Sequence, residues 1–253
     1  MYLKSICPNW KYINRLQNKS YIHFNLPLIG ITSKPNYDFL ISYNNLPIDK
    51  YHNNNDPPTR LRRYANYTID VSNTHNYDIY INDNNIFEQN VTDDRGKPRT
   101  FELIESQFIK DHWILNLLTQ MAALSVVNYN NQMMGKVINQ KNNRIKNVNI
   151  SLHQVRQITY PNISAHNSPE GIHQDGADYI VSAFVLNRIN ISGGDSIIYN
   201  KDKEEIYRTI LYNGEGIYQE DKQQWHYIEP IQSMNHTLGF RDILGIDIAI
   251  ENG

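Results

Sequence analysis

The sequence contains a single cysteine, Cys7, among 253 residues. One thiol excludes an internal disulfide framework and any zinc site built from several cysteines. An excess of charge of one sign is also missing, since 24 Lys and Arg residues face 26 Asp and Glu residues, for a formal net charge of −2. Without a basic excess, the chain lacks the broad electrostatic footprint of a protein that binds nucleic acid or an anionic membrane.

Long hydrophobic runs are absent as well. The most apolar stretch, residues 113–127, is interrupted by Asn116, Thr119 and Gln120 and is too short to span a bilayer. The first 30 residues alternate polar and apolar side chains, unlike the apolar core of a secretory signal peptide. We therefore expect a soluble, cytosolic protein that associates with neither membrane nor nucleic acid. The oligomeric state is open at this point.

The chain shows neither an internal repeat nor a low-complexity linker, so we expect a single domain over residues 1–253. The turn-forming residues Asn53–Pro58 predict an exposed loop. Two alternating segments follow it, Tyr64–Val71 and Tyr77–Ile81, and both patterns predict strands. Residues 1–147 should therefore supply strands around a later core.

Phe101–Asn128 is the one convincing helical segment. Its apolar residues recur at intervals of three and four, and Glu102 and Glu105 lie where a helix N-terminus favours anions. The amphipathic pattern predicts a helix that buttresses a sheet rather than one that binds a partner or a membrane.

From residue 148 onward, short strand-like segments follow one another without intervening helices. Turn-forming groups separate them, including Ser192–Gly194 and Asn213–Gly216. This spacing is typical of a sandwich or jelly roll. We predict a mostly β fold with flanking helices, a double-stranded β-helix whose core covers residues 148–250. The predicted strands are Val148–Tyr160, Tyr179–Leu186, Ser196–Tyr199, Ile206–Leu211, Gly216–Gln219, Trp225–Ile231 and Phe240–Ile250.

One group of residues has the spacing of a metal site. His173 and Asp175 are two residues apart, so on a strand they would point to the same face. His226 follows 51 residues after Asp175, in another strand-like segment. Two histidines and one carboxylate form the facial triad that binds non-haem Fe(II). The pattern alone leaves open that His226 is a hydrogen-bonded core residue. Four other histidines lack a second ligand at useful spacing and are expected to be surface or hydrogen-bonded residues: His23, His52, His75 and His112.

Arg241 lies in a predicted strand 15 residues after His226. Burying an arginine is costly unless its guanidinium meets an anion, and a carboxylate matches its fork. In a 2-oxoglutarate enzyme, the C5 carboxylate of the co-substrate is such an anion. The spacing equally allows an ordinary Arg–Asp bridge on the surface.

Beyond single residues, the C-terminal part of the chain resembles the L-isoleucine 4-hydroxylase (isoleucine dioxygenase) family of bacterial Fe(II)/2-oxoglutarate oxygenases that act on free L-amino acids. The resemblance covers about residues 150 to 250. The segments that carry it are Gln154–Pro161, Ser168–Arg188, Gly193–Ser196, Trp225–His226 with Pro230–Ile231, and Gly239–Arg241 with Ile243–Gly245.

The resemblance implies His173, Asp175 and His226 as iron ligands and Arg241 as the residue that binds the co-substrate. It also implies Fe(II), 2-oxoglutarate and O2 as requirements, with stimulation by ascorbate. Many members of the wider superfamily have a serine two residues after this arginine, whereas this chain has Ile243. A second partner for the C5 carboxylate is therefore unassigned.

The resemblance favours hydroxylation of an aliphatic C–H bond, near C4, in a free L-amino acid such as isoleucine, leucine or methionine, with release of succinate and CO2. Arg156 is the expected partner of the substrate carboxylate, and Tyr160 is expected to border the same site. Arg156 could instead tie strands together, which would leave the carboxylate to Arg60, Arg62 or Arg63. Two alternatives stay open: an oxygenase of peptide or carrier-bound substrates, and a non-enzymatic jelly-roll binding module.

Overall fold

The computed structural model describes residues 2–4, 19–52, 56–73, 76–134 and 144–253. Cys7, His75 and Asn53–Asn55 of the predicted loop lie outside these ranges. Within them, the chain forms fifteen strands and three α-helices. The helices are α1 (Tyr37–Ser42), α2 (Ser106–Ile109) and α3 (His112–Met134).

The strands agree closely with the predicted segments and extend several of them. They are β1 (Tyr2–Lys4), β2 (Tyr21–Asn25), β3 (Arg60–Asp70), β4 (Asn76–Asn82), β5 (Ile86–Phe87), β6 (Arg99–Thr100), β7 (Ile145–Thr159), β8 (Tyr179–Ile189), β9 (Ile191–Gly193), β10 (Asp195–Tyr199), β11 (Glu205–Ile210), β12 (Glu215–Glu220), β13 (Trp225–Ile228), β14 (Ile231–Ser233) and β15 (Gly239–Asn252).

Eight strands form one large antiparallel sheet in the order β1-β4-β3-β7-β15-β8-β12-β2. A smaller sheet, β11-β10-β13, lies over part of it, and β14-β9 and β5-β6 are short ribbons. Apolar residues of the large and smaller sheets pack together, among them Val155, Ile198 and Ile228. The predicted mostly β, jelly-roll fold with flanking helices is confirmed.

The two faces of the large sheet have different roles. Alternate residues such as Leu152 and Leu244 pack with Leu118 and Met121 of α3 in the main hydrophobic core, and all four are fully buried. Truncating a side chain such as Leu118 to alanine in such a core costs about 2–5 kcal/mol. The opposite face presents His153, Val155 and their neighbours toward the smaller sheet, and the functional site lies there.

The helical segment begins later than the sequence predicts. Glu102 and Ile104 are extended and exchange backbone hydrogen bonds with Tyr64 of β3, at 3.0 and 2.8 Å. The predicted helical start at Phe101 is therefore wrong, because β3 offers these residues a strand partner. Asp111 instead begins α3, since its Oδ1 accepts hydrogen bonds from the backbone N–H groups of Trp113 and Ile114 at 2.9 and 3.3 Å.

None of the helices within the described ranges combines the length and the apolar character needed to cross a membrane.

Candidate metal centre and active site

His173 and His226 are brought together by the backbone. The two residues exchange N–H···O=C hydrogen bonds of 3.0 and 2.9 Å as an isolated antiparallel bridge. Directly opposite residues in such a pair present their side chains on one face, and the ring centroids are 4.2 Å apart. His226 is held from its other side because β13 pairs with β10, where it faces Ile198.

Asp175 completes the group from a turn and not from a strand, which corrects the expected strand placement. The turn passes through Gly176 at φ +81°, a conformation that favours glycine. The buried carboxylate of Asp221 accepts hydrogen bonds from the backbone N–H groups of Asp175 and Gly176 at 3.1 and 2.7 Å. Asp221 thereby replaces the neighbouring strand that would otherwise order this backbone.

The three side chains converge on one point. Asp175 Oδ1 is 3.5 Å from His173 Nε2, and its Oδ2 is 3.5 Å from His226 Nε2. One ligand atom from each of the three residues lies within 4.8 Å of the others. His173 Nδ1 is 2.8 Å from the carbonyl oxygen of Gly171 and can donate its proton to that oxygen. In this tautomer Nε2 is unprotonated, and its lone pair faces Asp175.

The electrostatics of the metal-free site favour the metal-binding protonation states of His226 and Asp175, but not that of His173. Burial lowers the pKa of His173, but Asp175 and Glu170 outweigh it and raise the pKa above its usual value. Burial, and then His173, lowers the pKa of His226 to about 3, which keeps its ring neutral. Burial raises the pKa of Asp175, but His226, His173 and Arg95 outweigh it and hold the pKa well below its usual range. Burial and the nearby Asp175 raise the pKa of Asp221 to about 7. A neutral imidazole and an ionised carboxylate are the forms that bind metal.

Gln89 holds Asp175 from the side of the cavity. Its Nε2 donates to Asp175 Oδ1 at 2.7 Å, and its Oε1 accepts from the Arg99 guanidinium at 2.5 Å. The same segment touches the metal-binding turn, because a Cβ on Gly176 would lie 2.4 Å from the Asn90 carbonyl oxygen. Gln89 could not be identified from the sequence, because it lies 86 positions before Asp175 and no motif connects the two residues.

The triad opens into a cavity of about 270 Å³. Its lining combines apolar and ionisable side chains, including Phe87, Val155, Ile243, Arg60, Arg62, Arg99, His153, Glu170 and Asp247. The volume is close to the lower end of the range of small-molecule sites, roughly 300–1,000 Å³. The cavity therefore suits a small ligand.

Arg241 is fully buried on the face of β15 that borders this cavity. It lies opposite Gln157 in β7, one step along the same face from Ile243, which lines the cavity. Its Nε and Nη2 donate to Gln157 Oε1 at 2.9 and 2.6 Å, and its Nη1 donates to the Gly194 carbonyl oxygen at 3.0 Å. Among the described residues no carboxylate forms an ion pair with it, so the alternative of a surface Arg–Asp bridge does not hold.

A second arginine stands beside Arg241. Arg188 of β8 is its cross-strand neighbour, and one Arg188 nitrogen, Nη1, is buried without a hydrogen-bond partner in the described parts of the chain. Burial, and then Arg188, lowers the pKa of Arg241 to about 9. Two neighbouring guanidiniums with only neutral acceptors leave room for a carboxylate from a ligand.

Arg156 and Tyr160 lie outside the cavity. Arg156 points to the opposite face of β7 from Val155 and donates to both carboxylate oxygens of Asp242 at 2.6 and 2.8 Å. Asn44 binds a further nitrogen of this guanidinium at 2.7 Å. The structure thus places Arg156 in a buried ion pair between strands rather than beside a substrate. Tyr160 donates its hydroxyl to the Pro58 carbonyl oxygen at 3.3 Å and does not line the cavity.

His153 is a site residue that the sequence analysis misses. Arg62 donates to its Nδ1 at 2.5 Å, and its Nε2 lies 3.0 Å from Asp247 Oδ2. Burial, and then Arg62, lowers the pKa of His153, whereas burial and Asp175 raise the pKa of Asp247. Strand alternation could have indicated both residues, because His153 lies on the same face of β7 as Val155 and Asp247 lies on the same face of β15 as Arg241.

Comparison with known proteins decides the family. A sequence profile described as 2OG-Fe dioxygenase matches residues 41–247, a range that contains the triad and Arg241. The chain belongs to the 2OG-Fe dioxygenase family. It is therefore an enzyme of that class, which argues against the alternative of a non-enzymatic binding module. No curated protein matches the sequence significantly.

Solved structures share the fold of this 2OG-Fe dioxygenase. IDO from Bacillus thuringiensis aligns with a TM-score of 0.71 and 20 % identity over 95 % of both chains. A bsmA homologue from Methylobium petroleophilum PM1 aligns with a TM-score of 0.77 and 17 % identity, covering 95 % of this chain and 92 % of the other. The Fe(II)/α-ketoglutarate-dependent dioxygenase TqaL gives 0.61 and 16 %, with 95 % and 86 % covered. At these identities the likeness concerns the fold.

The residues present fit the cofactors that the family uses. Two imidazole nitrogens and one carboxylate oxygen are the donor set of non-haem Fe(II) sites. The buried Nδ1 of His226 has no partner within the described residues, whereas His173 Nδ1 is anchored. Arg241 is a buried cation without a carboxylate partner among the described residues, and such a group would suit one end of 2-oxoglutarate. This 2OG-Fe dioxygenase thus has a place for both Fe(II) and its co-substrate.

Proposed function

We propose that this 2OG-Fe dioxygenase hydroxylates an aliphatic C–H bond near C4 of a free L-amino acid such as isoleucine, leucine or methionine. The observation that carries the proposal is the small cavity beside the triad, which pairs apolar walls with arginines that can bind a carboxylate. The sequence resemblance over residues 150–250 supports membership of the L-isoleucine 4-hydroxylase group. The likeness to IDO supports the shared fold.

In this proposal each residue of the site has one task. His173, Asp175 and His226 would hold Fe(II), and Arg241, oriented by Gln157, would bind the C5 carboxylate of 2-oxoglutarate. With both bound, the centre supplies the oxidation that converts 2-oxoglutarate and O2 to succinate and CO2 and inserts one oxygen atom into the substrate.

The remaining residues would position the substrate and exclude water. Phe87, Val155 and Ile243 form apolar surfaces on which an aliphatic side chain can pack. A cavity of about 270 Å³ is suited to one small molecule and offers little room for an extended peptide. The Arg241 guanidinium, fully buried, keeps the co-substrate end away from solvent.

Succinate release with a panel of the twenty free L-amino acids, in the presence of Fe(II), ascorbate and O2, tests this function. We expect one or a few aliphatic amino acids to stimulate succinate formation, with a product heavier by one oxygen atom and hydroxylated near C4. Stimulation by a peptide or a carrier-bound residue, and by no free amino acid, would contradict the proposal.

A further inference from the structure

One wall of the cavity carries arginines that the co-substrate site does not use. Arg60 and Arg62 are alternate residues of β3, so both project from one face, and Arg62 lies directly opposite Val155 of β7. Arg99 is contributed by β6. All three line the same cavity as His173, Asp175 and His226.

Among the described residues outside the cavity, a single carboxylate forms ion pairs with the arginines of this wall. Asp49 binds Arg60 Nε at 2.8 Å and is 3.8 Å from Arg62. Arg99 forms no ion pair within the described parts of the chain. Asp247 lines the same cavity and is near both Arg62 and Arg99, but burial, and then Asp175, raises its pKa and so favours its uncharged form. The arginines of this wall therefore outnumber the ionised carboxylates that pair with them.

The hydrogen bonds of these two arginines lead to neutral groups. Arg62 donates to His153 Nδ1, and Arg99 donates to Gln89 Oε1. The Nε atoms of both are buried without an acceptor among the described residues. Arg62 is only 8 % exposed. A desolvated guanidinium is costly until an anion pairs with it.

Aromatic rings hold both guanidiniums in place. The Arg62 guanidinium carbon lies 4.2 Å from the Phe101 ring centroid, and that of Arg99 lies 4.9 Å from the Phe87 centroid. Stacking of this kind reduces the conformational freedom that the side chains would lose on binding a ligand. The arrangement is therefore prepared for an anion before that anion binds.

This wall is separate from the arginine that binds the co-substrate in our proposal. Arg62 is on β3 and Arg241 is on β15, with β7 between them. Strands in a sheet are about 4.8 Å apart, so about 10 Å of sheet separates the two backbones. The cavity-facing side of the sheet thus carries two cationic positions: Arg62 lines the cavity, whereas Arg241 is buried beside it.

We infer that Arg62 and Arg99 bind the α-carboxylate of the amino-acid substrate, a role that sequence reasoning gave to Arg156. The inference rests on the proposed function and deepens it, because it restricts the substrates to small molecules with a free carboxylate. The side chain of such a substrate would extend from this wall toward the triad.

The test compares Arg99→Gln with wild type in binding and turnover. Arg99 is only partly buried, so its replacement is less disruptive than that of Arg62. Lys97→Gln is the matched control, because Lys97 is an exposed cation of the same segment that pairs with Asp94 and does not line the cavity. The ligands are L-isoleucine, L-leucine, L-methionine and L-leucinamide, which lacks the carboxylate, with 2-oxoglutarate affinity measured separately.

We expect Arg99→Gln to raise the Kd and KM of the amino acids by about ten-fold or more, because the variant loses a charge-assisted hydrogen bond to the substrate carboxylate. The affinity for 2-oxoglutarate should fall by a much smaller factor than that for the amino acids, because Arg99 reaches the triad only indirectly, through Gln89. Wild type should prefer leucine to leucinamide, and the variant should lose most of that preference. Lys97→Gln should behave like wild type in every arm.

An unchanged ratio of leucine to leucinamide binding in Arg99→Gln would overturn the inference, as would a selective loss of 2-oxoglutarate affinity. Failure of the proposed function looks different. A wild type that binds an amino acid through Arg99 but forms no succinate would overturn the function and leave the carboxylate site in place. A wild type that binds none of the amino acids would overturn both.

Discussion

Arg241 and Arg156 lie on neighbouring strands and both are buried, but only Arg156 has a carboxylate partner. Asp242 neutralises Arg156 on the helix-facing side of the sheet. Arg241 meets only the amide oxygen of Gln157 and a carbonyl oxygen. At the scale of residues, the partner and the face of the sheet distinguish a structural ion pair from a ligand site.

Arg241→Gln should weaken 2-oxoglutarate binding strongly. A bidentate, charge-assisted pair in a buried site contributes about 2–5 kcal/mol, which corresponds to a rise in Kd of roughly thirty- to several thousand-fold. Arg241→Lys should restore only part of this, because an ammonium lacks the planar fork. Titration calorimetry with a non-reactive metal measures the Kd. Arg208→Gln, at an exposed ion pair, is the control, and an unchanged Kd in Arg241→Gln would remove this role.

Gln89→Ala should weaken binding of divalent metal. Gln89 donates a hydrogen bond to Asp175 and so fixes the orientation of that carboxylate. Loss of such an outer contact typically costs about 10–100-fold in metal affinity. Mn(II) affinity, measured by electron paramagnetic resonance, provides the readout. The exposed Gln107→Ala should bind Mn(II) like wild type, and equal affinities in the two variants would show that Gln89 does not position Asp175.

His52 should make the metal-free protein less stable in mild acid. Burial, and then Arg60, lowers the pKa of His52 from 6.5 to about 4. Below pH 6.5 the unfolded chain therefore binds a proton at His52 that the folded chain does not bind. The free energy of unfolding thus decreases as the pH is lowered from 6.5 to about 4. His52→Gln should flatten this dependence, which urea unfolding at several pH values in the presence of EDTA measures. Parallel curves for the two proteins would contradict the assignment.

At the scale of elements, sequence patterns predict the strands well. Half-buried strands alternate with a period of two, and buried strands such as β8 are short apolar runs between turn residues. The start of the long helix is wrong, since residues 101–104 satisfy both a helical spacing and a strand pairing, and β3 decides between them. The turn around Asp175 is not predictable, because its backbone is ordered by Asp221, 46 residues away.

The N-terminus of α3 gives a direct test of whether the long helix begins at Asp111 or at the predicted earlier position. Asp111→Ala should destabilise the protein by about 1 kcal/mol, in the range of roughly 0.5–2, because two backbone N–H groups lose their acceptor. Glu105→Ala is the matched control, since Glu105 stands at the start of α2 without a capping hydrogen bond and should change stability by less than about 0.5 kcal/mol. Urea unfolding measures both, and a larger loss in Glu105→Ala would favour the earlier helix start.

At the scale of the whole molecule, the site depends on register between distant segments. The triad residues could be found from the sequence because His173 and Asp175 are adjacent in the chain and His226 lies in a recognisable strand. For the substrate carboxylate the sequence offers Arg60, Arg62 and Arg63 only as alternatives to Arg156. It cannot choose Arg62 or add Arg99, because Arg62 reaches the cavity only through the pairing of β3 with β7, across about ninety residues of chain. A register shift by one residue would turn Arg62 to the helix side and Arg63 to the cavity.

The jelly roll thus contributes rigid placement, and the segment that contains Gln89 and Arg99 contributes contacts to both the triad and the cavity. The large sheet separates the hydrophobic core with α3 from the polar site, so polar residues of β7 such as His153 are buried without entering that core. The ion pair of Arg156 with Asp242 joins β7 and β15 on the helix side of the sheet.

The most direct test of the central claim is an anaerobic titration of the purified protein with Fe(II) and 2-oxoglutarate, followed by the visible charge-transfer absorption of their complex. We expect wild type to develop this absorption with one Fe(II) and one 2-oxoglutarate per chain. His173→Ala and His226→Ala should not develop it, although circular dichroism shows them folded. Full absorption in either folded variant, or none in wild type, would contradict the assignment of this triad as the iron site.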